Sequence, residues 1–294
     1  MTIESALRAD IVEVGRRLYA RAFTASNDGN ISVRLGDDRL LMTPKSVCKG
    51  FMTPDMMCIT DLDGKKLQGD RDPSSEMLMH LEVYRQRPDA RAVCHAHPPI
   101  ATGFAVAGIP LDRAVLAEVL TTLGSVPIAE YATPSTPELP AAVRKYVKAH
   151  DGMLLANHGA LTLGADLFSA YYKLETIEHF AKISLVARML GRENLLAREE
   201  VDRLQGLRGS YGIKAPAPIC PDPTLVGDLL SGPDPMSCQV VQAPEGDGRR
   251  LVPDPIDPRT MANATAADSS GDEEIRLTYR ELSALIEDAI RSLR

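Results

Sequence analysis

Apolar residues fall at helical spacing over residues 3–22, where Leu7, Ile11, Val14 and Leu18 share one side, so the chain should open with an amphipathic helix. Alternation takes over at Ile31-Ser32-Val33-Arg34-Leu35. A Gly36-Asp37-Asp38 turn then leads into Arg39-Leu40-Leu41-Met42-Thr43, a hairpin that Pro44 ends. Met57-Cys58-Ile59-Thr60 reads as a further strand. Pro73-Ser74-Ser75-Glu76 opens a helix to about Gln86, with a serine as its N-cap. A strand over residues 91–97 stops at Pro98-Pro99, and a helix follows over 100–107. Residues 126–129 and 153–156 read as short strands around a helix over 138–149. A long helix over 167–190 places Phe168, Tyr171, Leu174, Ile177, Phe180 and Leu185 on its apolar side. Hairpin strands early and single strands between helices later predict a mixed-sheet α/β layer fold.

The pattern breaks at Ala215. Residues 215–272 hold 10 of the 21 prolines and no aromatic residue, a composition that buries too little apolar area to offset its ordering entropy, and they read as linker. A short docking helix over 225–230 is the one exception expected there. Pattern returns at Thr278-Tyr279-Arg280-Glu281, a capping box followed by Leu282, Leu285, Ile286, Ala289, Ile290 and Leu293, one apolar stripe on a terminal helix. Three regions are therefore expected: a domain over 1–214, a linker over 215–272 and an amphipathic helix over 273–294.

Charge follows the same boundary. Residues 215–294 carry 14 acidic and 7 basic side chains, which accounts for the whole net charge of −7 and leaves the first 214 residues neutral. Such a body gives no reason to expect a nucleic-acid partner. The five cysteines are odd in number and form no C-x-x-C pair, which suggests a reducing compartment and no cysteine zinc site. No apolar run approaches the roughly 20 residues that span a bilayer, and the acidic N-terminus does not read as a signal peptide. The expected setting is the cytoplasm, without a membrane partner.

Candidate chemistry gathers at His95-Ala96-His97. Alternate strand residues share a face, so the two imidazoles point the same way. His158 lies just past the end of another apolar strand. Any one of these alone reads as an isolated surface or core histidine; together, and with Glu76, they match a catalytic metal site that keeps an exchangeable position. Ser74 and Ser75 stand at a helix N-terminus, either as an ordinary cap or as an anion site. The turns at Gly29-Asn30 and Thr43-Pro44-Lys45-Ser46 are small and polar at strand ends.

In order, Gly29-Asn30-Ile31-Ser32-Val33-Arg34, Leu41-Met42-Thr43-Pro44, Pro73-Ser74-Ser75-Glu76, Val93-Cys94-His95-Ala96-His97, Glu130-Tyr131-Ala132-Thr133-Pro134, Leu154-Leu155-Ala156-Asn157-His158-Gly159 and Ser210-Tyr211-Gly212-Ile213 resemble the class II aldolase/adducin family, and within it the L-fuculose-1-phosphate aldolase branch. The resemblance covers about residues 1–214. It implies a three-layer αβα sandwich around a mixed, largely antiparallel sheet. It also implies a homotetramer with active sites between subunits, and one zinc ion per chain held by His95, His97 and His158, with Glu76 ligating or nearby. Asn30, Ser74 and Ser75 match phosphate-binding positions. Lys45 and Ser46 occupy loop positions where the family usually carries threonine or serine, then glycine. Leu116 stands where a tyrosine is expected.

The implied reaction is reversible cleavage of L-fuculose-1-phosphate, with L-rhamnulose-1-phosphate as a further ketose phosphate substrate, to dihydroxyacetone phosphate and L-lactaldehyde. Glu76 and Tyr211 are its expected proton-handling residues. A pentulose-5-phosphate 4-epimerase or a sugar-phosphate dehydratase on the same fold are the rival enzymes. A non-catalytic adducin-type module, which lacks the histidines, is the rival of another class. The linker and terminal helix resemble encapsulation peptides of bacterial microcompartments, so residues 278–294 are expected to meet either a shell protein or the chain's own tetramer.

Overall fold

The computed structural model describes residues 2–210 and 213. Tyr211, the linker over 215–272 and the amphipathic helix over 273–294 lie outside the described residues. Eight strands form one sheet: β1 (Asn30–Leu35), β2 (Arg39–Met42), β3 (Cys58–Asp61), β4 (Lys66–Gln68), β5 (Ala92–Ala96), β6 (Ile128–Ala129), β7 (Gly152–Leu155) and β8 (Gly159–Gly164). Their order is β4-β3-β2-β1-β5-β8-β7-β6, and every pairing is antiparallel except β6 with β7. The helices are α1 (Ile3–Ala20), α2 (Met77–Gln86), α3 (Pro99–Ala107), α4 (Ala117–Thr122), α5 (Glu138–Val147), α6 (Leu167–Met189) and α7 (Arg198–Leu207).

Strand alternation sorts the core into two clusters, one on each side of the sheet. Ile31, Val33 and Leu35 of β1, Cys94 of β5 and Leu154 of β7 pack with α1, α3 and α6. Val93, Met153, Leu155, Leu161 and Leu163 point the other way, to α2 and α5. Helices on both faces of a mixed, largely antiparallel sheet make the three-layer αβα sandwich. Local sequence sets the helix ends: Thr2 caps α1 by accepting from the Ser5 amide at 3.2 Å, and Asp166 with Ser169 closes a capping box on α6.

Some sequence-based expectations need correction. The residue that caps α2 is Glu76, not a serine, and Ser74 instead accepts from the Glu76 amide at 3.3 Å. Leu185 is exposed, because the last buried residue of α6 is Ser184 and the helix outruns the core beyond it. Val126 belongs to an isolated bridge with Leu111 rather than to β6. Four elements carried too weak a pattern to foresee: β4 is wholly exposed, β8 begins and ends on glycine, α4 is only six residues long, and α7 buries no residue fully.

Candidate metal centre

Adjacent strands bring the three histidines together. His95 lies in β5, opposite Asn30 of β1 on one side and Leu161 of β8 on the other. His97 follows the strand, where Glu178 of α6 accepts the Ile100 and Ala101 amides at 3.1 and 2.8 Å and so fixes the turn into α3. His158 sits in the β7–β8 connection beside Asn157, whose φ of 54° is one asparagine tolerates. Close approach here demands glycine. A Cβ on Gly159 would stand 2.6 Å from both the Ala96 carbonyl and His97 Cδ2, and one on Gly29 would stand 2.8 Å from the His95 carbonyl.

The three imidazole rings stand with centroids 4.7, 5.0 and 5.1 Å apart, and one ligand atom from each lies within 4.8 Å of the others. Proton positions follow from the partners. His95 Nδ1 faces the Ala160 carbonyl at 2.9 Å and must donate to it; His97 Nδ1 donates to the Asp28 carboxylate at 3.2 Å. Each ring therefore turns a lone pair on Nε2 inward, and these two atoms are 3.2 Å apart. Glu76 adds its carboxylate, with Oε2 3.3 Å from His95 Nε2 and Oε1 3.1 Å from His158 Nε2. Lone pairs and a carboxylate facing one another at this distance repel unless a cation lies between them. A divalent metal fits this donor set, and the carbonyl and carboxylate behind the rings are the supports that metal-binding histidines usually have.

Electrostatics agree. Burial is the largest cause holding the His97 pKa down to about 4, against the pull of Asp28, so the ring is neutral and able to ligate. For Glu76, burial pushes the carboxyl upward, but the neighbouring His95 and His158 overcome it and leave the group well below the usual carboxylate range. His95 is fully buried whereas His97 keeps 27 % of its side-chain exposure, so the cluster opens on the His97 side.

The remaining sequence-singled residues converge on the same end of the sheet. The Thr43 amide donates to the Ile31 carbonyl and the Ser74 amide to the Thr43 carbonyl, at 3.0 and 3.2 Å. The Lys45 amide reaches the Asp72 carbonyl at 3.1 Å. These bonds bring Lys45 and Ser46 beside Ser74 and Ser75. Lys45 and Ser75 are exposed, and Lys45 Nζ lies 3.4 Å from Asp72. Ser46 takes a φ of 59°, a left-handed conformation that glycine adopts freely and that costs serine about 1 kcal/mol. Asn30 turns its amide onto Glu76 Oε2 at 2.8 Å.

Three supporting groups escaped the sequence reading. Asp28 appeared only as part of a turn. Lys49 is buried, its pKa pushed down to about 8 by that burial, and donates to the Asn27 and Val47 carbonyls at 3.0 and 2.6 Å, tying the Asp28 loop to the loop after Lys45. His80, inside α2, is the third. Its signal was available: Glu76, His80 and Tyr84 recur every four residues along one helix face, a polar stripe matching Asn30, Ser32 and Arg34 along β1.

The chain belongs to the class II aldolase and adducin N-terminal domain family, whose model matches residues 9–185. Within that family it is an enzyme of the metal-dependent aldolase kind, a carbon–carbon lyase. It is 32 % identical over 178 residues to a 3-oxo-tetronate 4-phosphate decarboxylase of Haemophilus influenzae, covering 59 % of this chain and 84 % of that one. It is 31 % identical over 181 residues to an L-fuculose phosphate aldolase of Methanococcus maripaludis, covering 62 % and 97 %. A solved L-fuculose 1-phosphate aldolase superposes with a TM-score of 0.64 at 31 % identity, covering 68 % of this chain and 94 % of that one. Among the described residues, no helix is long and apolar enough to cross a membrane.

Proposed function

We propose that this enzyme reversibly cleaves L-fuculose-1-phosphate, and also L-rhamnulose-1-phosphate, to dihydroxyacetone phosphate and L-lactaldehyde, using one zinc ion per chain. The observation that carries the reading is Glu76, whose carboxylate stands between His95 and His158 with Oε1 buried and lacking a hydrogen-bond partner. Breaking a carbon–carbon bond beside a ketone leaves negative charge on the carbon and its neighbouring oxygen. A divalent cation, when bound by His95, His97 and His158, supplies Lewis-acid stabilisation of that charge, so no Schiff-base lysine is needed. Glu76 exchanges the proton at the carbon and Tyr211 the proton at the aldehyde oxygen. Asn30, Lys45, Ser46, Ser74 and Ser75 grip the phosphate.

A second reading is decarboxylation of a 3-oxo-tetronate 4-phosphate. The similarity to the Haemophilus influenzae decarboxylase favours it, and the charge left after loss of carbon dioxide beside a ketone is of the same kind. Either enzyme assembles as a homotetramer with sites between subunits. Residues 1–214 form the catalytic domain, 215–272 a linker, and the helix over 273–294 a contact for a microcompartment shell protein or for the chain's own tetramer.

Metal analysis beside cleavage assays on both substrates, for wild type and Glu76→Gln, tests the reading. About one zinc per chain, with dihydroxyacetone phosphate released by wild type only, is the expected result. Turnover of the oxo-tetronate alone moves the assignment to the decarboxylase. Zinc without either reaction moves it to the epimerase or dehydratase, and protein that binds no metal overturns the site.

A further inference from the structure

Between β1 and α2 runs a buried chain of hydrogen bonds that ends at the candidate centre. Tyr84 OH lies 3.0 Å from the Ser32 carbonyl and 2.9 Å from Ser32 Oγ. Ser32 Oγ lies 2.6 Å from His80 Nδ1, His80 Nε2 lies 2.5 Å from Asn30 Oδ1, and Asn30 Nδ2 lies 2.8 Å from Glu76 Oε2. Ser32 is fully buried, His80 and Tyr84 nearly so, and Asn30 is 4 % exposed. Water therefore cannot replace a lost partner, and each donor and acceptor must be assigned within the chain.

From Glu76 back to Ser32 the assignment has one solution once its end is fixed. The Glu76 carboxylate only accepts, so Asn30 turns its NH2 toward it and its carbonyl oxygen toward His80. That oxygen accepts in turn, so His80 carries its proton on Nε2. Burial holds the His80 pKa down to about 3, so the ring is neutral and Nδ1 is a bare lone pair. The Ser32 hydroxyl donates to that lone pair, and Tyr84 donates its one hydroxyl proton to the Ser32 carbonyl, 2.9 Å from Ser32 Oγ. From Ser32 onward every proton points toward Glu76.

We propose that His80 is a positioning residue: acting through Asn30, it fixes the Glu76 carboxylate by Oε2 and so leaves Oε1 aimed at the histidine cluster. This rests on the reading of Glu76 as the group that ligates the cation or handles the proton. The carboxylate stands at the N-cap of α2, where the backbone φ of −99° and ψ of 17° is not helical and no side-chain cap bond holds it. The Asn30 bond gives it a fixed orientation that its own backbone does not. Ser32, which touches neither Glu76 nor a histidine of the cluster, then matters because it holds His80 in the tautomer that donates.

The test uses the full chain, with zinc affinity measured by competition against a chelator and kinetics measured on L-fuculose-1-phosphate. His80→Ala should weaken zinc binding about 10-fold and lower kcat 10- to 100-fold with KM within twofold. His80→Gln, which keeps an N–H for the Asn30 oxygen, should recover both to within about threefold of wild type. Ser32→Ala should fall between them. Equal losses in His80→Ala and His80→Gln, or wild-type affinity and kcat in either Ser32→Ala or His80→Ala, would overturn the proposal. Should His80→Ala not fold, Ser32→Ala and His80→Gln decide alone. Glu76→Gln with wild-type kcat and affinity would instead overturn the reading beneath it, a distinct result.

Discussion

The two sides of β1 solve the same burial problem in opposite ways. Ile31, Val33 and Leu35 enter an apolar cluster with α1 and α6, while Asn30, Ser32 and Arg34, equally withdrawn from water, meet His80 and Tyr84 of α2. The apolar side accepts any close-packed arrangement of roughly the right volume. The polar side accepts only a register in which every donor meets an acceptor, because an orphaned buried group costs about 1–3 kcal/mol. Arg34 illustrates the demand: it donates to the carbonyls of Tyr84, Asp37 and Ala90, and its guanidinium lies over the Tyr84 ring. One side supplies stability; the other sets where Glu76 and Asn30 stand relative to the histidines.

The comparison breaks most visibly on the apolar side. Ile31→Ala should cost about 3 kcal/mol of stability, read from the urea midpoint, yet leave kcat per folded molecule within about twofold. A large kcat loss at full folding would show that the two sides do not divide the work. Removing the metal sharpens the same contrast from the site: a cation present at a hundredfold excess over its dissociation constant adds about 2.7 kcal/mol, so chelation should lower Tm by several degrees and reloading should restore it.

Acidity addresses the polar side alone. His80 takes its proton near pH 6.5 when unfolded and near pH 3 when folded, so below pH 6.5 the unfolded chain binds a proton that the folded chain refuses. Stability is complete above that pH and falls by about 1.4 kcal/mol per unit beneath it. At pH 5 wild type should have lost about 2 kcal/mol more, relative to pH 7, than His80→Gln, the difference cancelling other titrating groups. The smallest effect belongs to Lys45→Thr. The Lys45–Asp72 pair is exposed, so stability should change by no more than about 0.5 kcal/mol, while KM for the phosphorylated substrate rises several-fold if the ammonium contributes to the phosphate grip.

Much of this organisation was legible in the sequence. The hairpin over β1 and β2, the amphipathic α1, and the placing of His95, His97 and His158 at strand ends follow from period-2 and period-3.6 patterns; that those ends are neighbours in the sheet does not. What escaped was what those patterns leave out. Alternation at Ile31-Ser32-Val33-Arg34-Leu35 shows that two faces differ, but not that the polar face is buried, since only α2 lying across it makes it so. Likewise, Glu76 as N-cap depends on the backbone at 73–76 being held by the Thr43 loop, a long-range contact that no local serine preference reports.

The order of the strands also carries a consequence for biosynthesis. His95 and His158 are neighbours across β5 and the β7–β8 hairpin, yet His158 leaves the ribosome about 60 residues after His97, several seconds later at roughly 5–20 residues per second. Until β8 pairs with β5, the nascent chain offers a cation only a two-histidine fragment. If the three histidines hold the proposed cation, loading waits for the middle of the sheet to close, and a truncated translation product ending before residue 158 would compete poorly for scarce metal in the cell.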